Sequence, residues 1–184
     1  DTLSYTTLFR SAGLCGAEVS DIVEGMLWAA GIPYQGSPAL NAHPARVVNL
    51  SFGGDGPCVE SGVRDTAWLY RRTVAALKAR GTLVVASAGN GDENGALAVP
   101  TRPANCEGVL AVTALHEQGF KASYANFVDA RQLSGLATVG GDVDTAVTSR
   151  SGVWTTSNTG LQRVELTGYT MTDPVGTSFA APMM

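Results

Sequence analysis

The chain has 184 residues, enough for one domain with a real core. Hydrophobic residues make up 45% and charged residues 15%, which excludes intrinsic disorder, and a formal net charge of −4 leaves no basic footprint for a nucleic-acid or anionic-membrane partner. No apolar run approaches the ~20 residues that cross a bilayer, and 22 glycines point to many tight α/β connections.

In chain order, the first stretch does not read as protein. Residues 5–11, YTTLFRS, are what the sequencing-adaptor triplets TAC ACG ACG CTC TTC CGA TCT encode, and DTLS continues the adaptor upstream with one base lost. Residues 1–11 are therefore expected to be a non-native segment, the alternative being a native amphipathic strand. A helix follows: Asp21 with Glu24 three residues on has the form of a capping box, and Ile22, Val23, Met26, Leu27 and Ala30 form an apolar stripe. Gly31 and Pro33 end it, and residues 37–44 read as loop. Residues 46–52, RVVNLSF, are a β-branched run stopped by Gly53-Gly54, hence a buried strand.

A second helix is expected over 64–80, with Val63, Ala67, Tyr70, Val74 and Leu77 on one face and Gly81 as its cap. Residues 82–88 form another strand running into Gly89-Asn90, and 108–115 a third. Beyond Ala125 the pattern weakens, so 132–139 and 163–171 read as shorter, irregular strands. Strands apolar on both faces, alternating with helices, predict an α/β fold with a mainly parallel sheet flanked by helices. Ligands of such sheets bind beyond the carboxyl ends of the strands. Those ends read Ser51-Phe52-Gly53-Gly54 and Ser87-Ala88-Gly89-Asn90.

The closing stretch, GTSFAAP, places Ser178 at a helix start, where its Oγ is exposed and its N–H faces any developing anion. Alone, such a tripeptide is most often a turn or cap. VVASAGNG ends a strand in an amide that can donate to an oxyanion, although an Asn at a turn is also common. The ordered set VVNLSFGG, VVASAGN and GTSFAAPMM resembles the subtilisin-like serine proteases, the subtilase family, as do SDIVEGMLWAAG, PANCEGVLAVTA and KASYANF.

That resemblance, covering residue 12 to the end, implies a three-layer α/β domain and peptide hydrolysis through an acyl-enzyme. It implies Ser178 as nucleophile, Asn90 and the Ser178 N–H as oxyanion donors, and Ser51, Phe52, Gly53 and Gly54 as an edge for an extended polypeptide substrate. Ser87, Ala88 and Gly89 would wall the pocket for the side chain before the cut bond. It further implies a Cys58–Cys106 bridge, with Cys15 free or paired elsewhere. Secretion, a monomeric state, scope for a pro-segment, and chemistry needing no cofactor or metal belong to the same expectation. Asp92, Glu93, Asp142 and Asp144 are loop acids able to hold a structural calcium, but nothing in the sequence supports one.

The departures are specific. The family's Asp-Thr/Ser-Gly and His-Gly-Thr-His motifs are absent, DVDTAV is no substitute, and LATVGG lacks the usual proline before its glycine pair. His43 and His116 both read as solvated loop residues. Residues 12–184 are thus expected to be a partial catalytic domain cut at both ends, unable to hydrolyse peptides and prone to aggregate alone. In this family, loss of the histidine costs about 2 × 10⁶ in turnover. Two rivals are a catalytically dead homologue that binds peptides and a nucleotide-binding α/β domain. GNGDENG has neither phosphate-loop spacing, which counts against the second.

Overall fold

Short β-branched runs that are apolar on both faces must be covered on both faces, and the chain arranges its helices accordingly. The computed structural model describes residues 3–4, 17–36, 40–54, 56–59, 65–91, 100–128, 134–143, 152–160 and 165–184. The described elements are β1 (Leu3–Ser4), α1 (Val19–Ala29), β2 (Val47–Leu50), α2 (Thr66–Ala79), β3 (Leu83–Ser87), β4 (Val109–Leu115), β5 (Ser134–Val139), β6 (Thr155–Asn158), β7 (Tyr169–Thr172) and α3 (Thr177–Ala180), which runs into a 3-10 turn over Ala181–Met183. Strands β1 to β5 form one sheet in chain order, every neighbouring pair parallel. Of residues 1–11, only Leu3 and Ser4 are described, paired with Val48 and Asn49.

Alternation along the strands sorts the core into two layers. Val48, Leu50, Val84, Ala86, Val109 and Ala111 face α1 and α2, which add Met26, Ala29, Tyr70, Val74 and Leu77. Val85, Val112 and Ala114 face the other way and meet Ala180 and Ala181. The α/β three-layer expectation therefore holds.

Local details differ. Helix α1 begins two residues before Asp21, with Glu18 at its N-cap and no side-chain capping bond. Ala17 and Val19 pack on the core, and that burial extends the helix past the apparent capping box. Helix α2 starts at Thr66, where Asp65 accepts from the Trp68 N–H at 2.7 Å. Strand β5 is regular rather than irregular and pairs along all six residues with β4. Its pattern was weak because most of it is exposed. Of the other weak segment, read as 163–171, only Tyr169–Thr172 is strand and 163–164 lie outside the described residues; it pairs antiparallel, Thr155–Thr172 to Asn158–Tyr169, with β6, which is too polar to read as a strand.

Tyr70 on α2 is buried, and that burial, opposed by the Arg102 charge, pushes its hydroxyl from 10.0 up to about 12. A group whose pKa is raised by folding contributes stability below its unfolded value and loses it above. Denaturant stability is therefore expected to be flat with respect to this group below pH ~10 and to fall progressively towards pH ~12. Tyr70→Phe should flatten that alkaline slope. An unchanged slope would show that Tyr70 does not set it.

Cys58 and Cys106 form a disulfide, Cα–Cα 5.0 Å, across 48 residues of sequence, as the family resemblance implies. Cys15 lies outside the described residues.

Candidate active site

Helix α3 reaches the carboxyl ends of β2 and β3 because three backbones approach closely at Gly140. A Cβ there would lie 2.6 Å from the Ala114 Cβ, 2.8 Å from the Gly176 carbonyl oxygen and 3.3 Å from the Ala180 Cβ. The Gly176 N–H donates to the Gly140 carbonyl at 3.0 Å, and the Tyr124 hydroxyl donates towards the carbonyls of Gly140 and Gly141 at 3.0 and 2.9 Å. The glycine pair of LATVGG thus seats α3 without the proline. Gly140→Ala is expected to push α3 off the sheet and cost about 1–3 kcal/mol, the usual range for overpacking. Thermal melting together with serine labelling checks this; an unchanged melting temperature would contradict the contact.

At the start of α3, Thr177 is buried and Ser178 half-buried. Asn90 Oδ1 accepts from the Thr177 N–H at 3.0 Å and from Thr177 Oγ1 at 2.8 Å, while the Gly89 N–H donates to Thr177 Oγ1 at 3.2 Å. Both bonds to Asn90 use its oxygen, so its amide nitrogen is turned outward. Asn90 is exposed, and Nδ2 finds no acceptor among the described residues. The Ser178 N–H is one of the first donors of α3, which no carbonyl within the helix can satisfy. Ser178 and Asn90 both lie at this helix start, and Thr177, which bonds to Asn90 beside Ser178, is a residue that sequence reasoning missed.

The end of β3 is fixed from behind by Asn126, fully buried. Its Nδ2 donates to the Ala88 carbonyl at 3.1 Å, and its Oδ1 accepts from the Gly91 N–H at 3.0 Å. Its own N–H donates to the Gly89 carbonyl at 3.0 Å, and its carbonyl accepts from Thr113 Oγ1 at 2.7 Å. Gly89 has φ +102°, and a Cβ would sit 2.6 Å from Asn126 Nδ2, so no other residue fits. Ser87 and Ala88 are buried, which leaves mainly backbone to face any ligand along Ser87-Ala88-Gly89.

Beyond β2, Gly54 exchanges both main-chain hydrogen bonds with Arg102, at 2.9 and 3.0 Å. The N–H and C=O groups of Phe52 and Gly53 make no main-chain hydrogen bond among the described residues. The Ser51 carbonyl accepts from Ser178 Oγ at 3.0 Å. A short length of unpaired edge therefore begins beside the Ser178 hydroxyl.

His43 is exposed, as read from sequence, but His116 is not. It is 4% exposed in the turn after β4, with Nδ1 accepting from the Gln118 N–H at 3.1 Å and the His116 main-chain N–H donating to the Phe120 carbonyl at 2.7 Å. The turn folds back over the ring, which a loop assignment does not foresee. Asp142 is likewise buried: it accepts from the Ser123 N–H and Oγ at 2.8 and 2.6 Å and from the Val143 N–H at 2.7 Å. It ties the loop beneath α3 to the end of β5. Burial, then the Asp142 charge, raises the nearby Tyr124 hydroxyl well above its ordinary value. Asp92, Glu93 and Asp144 lie outside the described residues.

A parallel sheet carrying a helix-borne serine beside an outward amide defines a class, and the sequence comparisons agree with it. The subtilase family model matches residues 8–184, and the chain belongs to that family. An extracellular protease of Xanthomonas campestris pv. campestris is 42% identical over 120 residues, 64% of this chain and 18% of that protein. The extracellular basic protease of Dichelobacter nodosus is 36% identical over 118 residues, again 64% and 18%. The chain thus spans under a fifth of the length of these curated relatives. In fold it is similar to the prenylagaramide maturation protease PagA, at TM-score 0.63 and 21% identity over 95% of this chain and 50% of that one. It is similar also to the epidermin leader peptide processing serine protease of Staphylococcus aureus, at TM-score 0.64 and 18% identity over 94% and 44%.

Proposed function

We propose that this chain carries the nucleophile and oxyanion half of a secreted serine endopeptidase site. Ser178 Oγ attacks the carbonyl of the scissile peptide bond, and the C–N bond breaks from the tetrahedral intermediate to leave an acyl-enzyme that water then hydrolyses. Negative charge developing on the carbonyl oxygen is held by Asn90 Nδ2 and the Ser178 N–H. The proton passes to a histidine that neither His43 nor His116 supplies, and then to the leaving amine; a carboxylate orients that histidine. The substrate lies extended along Ser51–Gly53, where the main-chain groups of Phe52 and Gly53 make no main-chain hydrogen bond among the described residues and can accept an added strand.

The observation that carries this reading is the pair of hydrogen bonds from Thr177 to Asn90 Oδ1, which leaves the amide nitrogen without an acceptor among the described residues at the same helix start that bears Ser178. Export fits the buried disulfide and the names of the curated relatives, and polypeptide substrates fit the leader-processing protease of like fold.

A fluorophosphonate probe applied to the full-length protein tests the reading. Peptide mapping is expected to find the adduct on Ser178. An unlabelled protein, or an adduct elsewhere, would overturn it.

A further inference from the structure

Strand β2 turns one polar side chain inward beside α3. Asn49 is 3% exposed, on the face where its register partner Val85 packs with Ala180 and Ala181. Its Nδ2 donates to Ser51 Oγ at 2.8 Å, and Ser51 Oγ donates in turn to the Ser178 carbonyl at 2.9 Å. Ser178 Oγ answers by donating to the Ser51 carbonyl at 3.0 Å. Each serine therefore holds the other's main chain through its own side chain.

A hydroxyl has one proton. Because the Asn49 amide occupies an acceptor site of Ser51 Oγ, that proton is directed at the Ser178 carbonyl. Turning the amide over would make Oδ1 and the Ser178 carbonyl compete for the same proton, and one bond would be lost. The orientation shown leaves Asn49 Oδ1 buried with no donor among the described residues. A buried acceptor without a donor costs at least as much as one hydrogen bond returns. A leucine of similar shape would serve the packing between β2 and α3 as well or better, so the amide is not there for stability.

We propose that Asn49 is a positioning residue: through the Ser51 hydroxyl it holds the nucleophile turn at a fixed distance from the substrate edge of β2. This rests on the serine-protease reading of Ser178. Without the amide, the Ser51 hydroxyl rotates among other acceptors, and the first turn of α3 loses one of its two ties to β2. The attacking oxygen then samples geometries away from the carbonyl it must reach, a cost that falls on the chemical step.

The test is a double-mutant cycle in the form of the protein that the fluorophosphonate labels. Asn49→Leu is expected to lower the maximal labelling rate about tenfold while leaving the half-saturating probe concentration unchanged. Its melting temperature should be equal or higher. In a Ser51→Ala background the same substitution should change the rate by no more than about twofold, since the group it positions is gone. Additive losses, a melting temperature that falls with the rate, or a leucine variant that fails to fold would each overturn the proposal. Absence of labelling in the unsubstituted protein would remove the serine-protease reading itself, a different result from an additive cycle in a labelled one.

Discussion

In the full-length protein, Asn90→Asp is expected to lower kcat by at least 10²–10³ with little change in KM, the magnitude established for losing one oxyanion donor on a member of this family. The substitution separates the two ends of one side chain. Aspartate keeps an oxygen where Oδ1 accepts from the Thr177 N–H and hydroxyl, so the lock on α3 survives. It replaces Nδ2 with an oxygen and adds a negative charge where negative charge must develop. Thr177→Val does the reverse: it removes the hydroxyl that holds Oδ1 and leaves the donor in place. It also strips the Gly89 N–H of its acceptor, so a stability loss of about 1–3 kcal/mol should accompany a smaller rate effect. If the two variants lose equal activity, or if Asn90→Asp raises KM with kcat intact, Asn90 is not a transition-state donor. Steady-state kinetics on a peptide substrate decides between these outcomes.

Removing the disulfide is expected to have the largest effect on stability. Cross-linking across 48 residues removes chain entropy from the unfolded state worth about 4 kcal/mol in the simplest model. For a chain of this size that corresponds to a fall of about 8–16 °C in melting temperature. The Cys58→Ala, Cys106→Ala pair is the clean form of the test, because Cys106 is fully buried and serine there would bury a hydroxyl. Cys58 lies four residues past Gly54, so freeing it also loosens the far end of the substrate edge. KM is therefore expected to rise as well. A loss below about 1 kcal/mol would mean that the unfolded chain is already constrained between these cysteines.

The layered α/β architecture was legible from the strands, because a run apolar on both faces has few ways to be buried. Ser178, Asn90 and the cysteine pair were legible only through the ordered motifs, since no spacing rule joins residues so far apart. The supporting contacts were not legible at all. Thr177 reaches Asn90 across 87 positions, Asn126 reaches Ala88 across 38, and Ser178 reaches Ser51 across 127. Each of these residues sat inside a quoted motif, yet its partner is fixed by the sheet and not by its neighbours. Asn49 passed as one more strand residue, and His116 as one more loop residue, for the same reason. Burial is a property of the assembled layers, so local polarity misjudged His116, and the buried strand that holds Asn49 gave no sign of the partner its amide finds.

The paired hydrogen bonds between Gly54 and Arg102 have a consequence for how the molecule meets copies of itself. An unpaired strand edge is a template for any extended chain, including a misfolded neighbour. Here the open stretch is closed at one end by the Ser51–Ser178 contact and at the other by the Arg102 bridge. It is long enough to seat a few residues of a guest strand and too short to nucleate a growing stack of sheets. The edge proposed to receive a peptide is therefore short, with only the main-chain groups of Phe52 and Gly53 left open along it among the described residues.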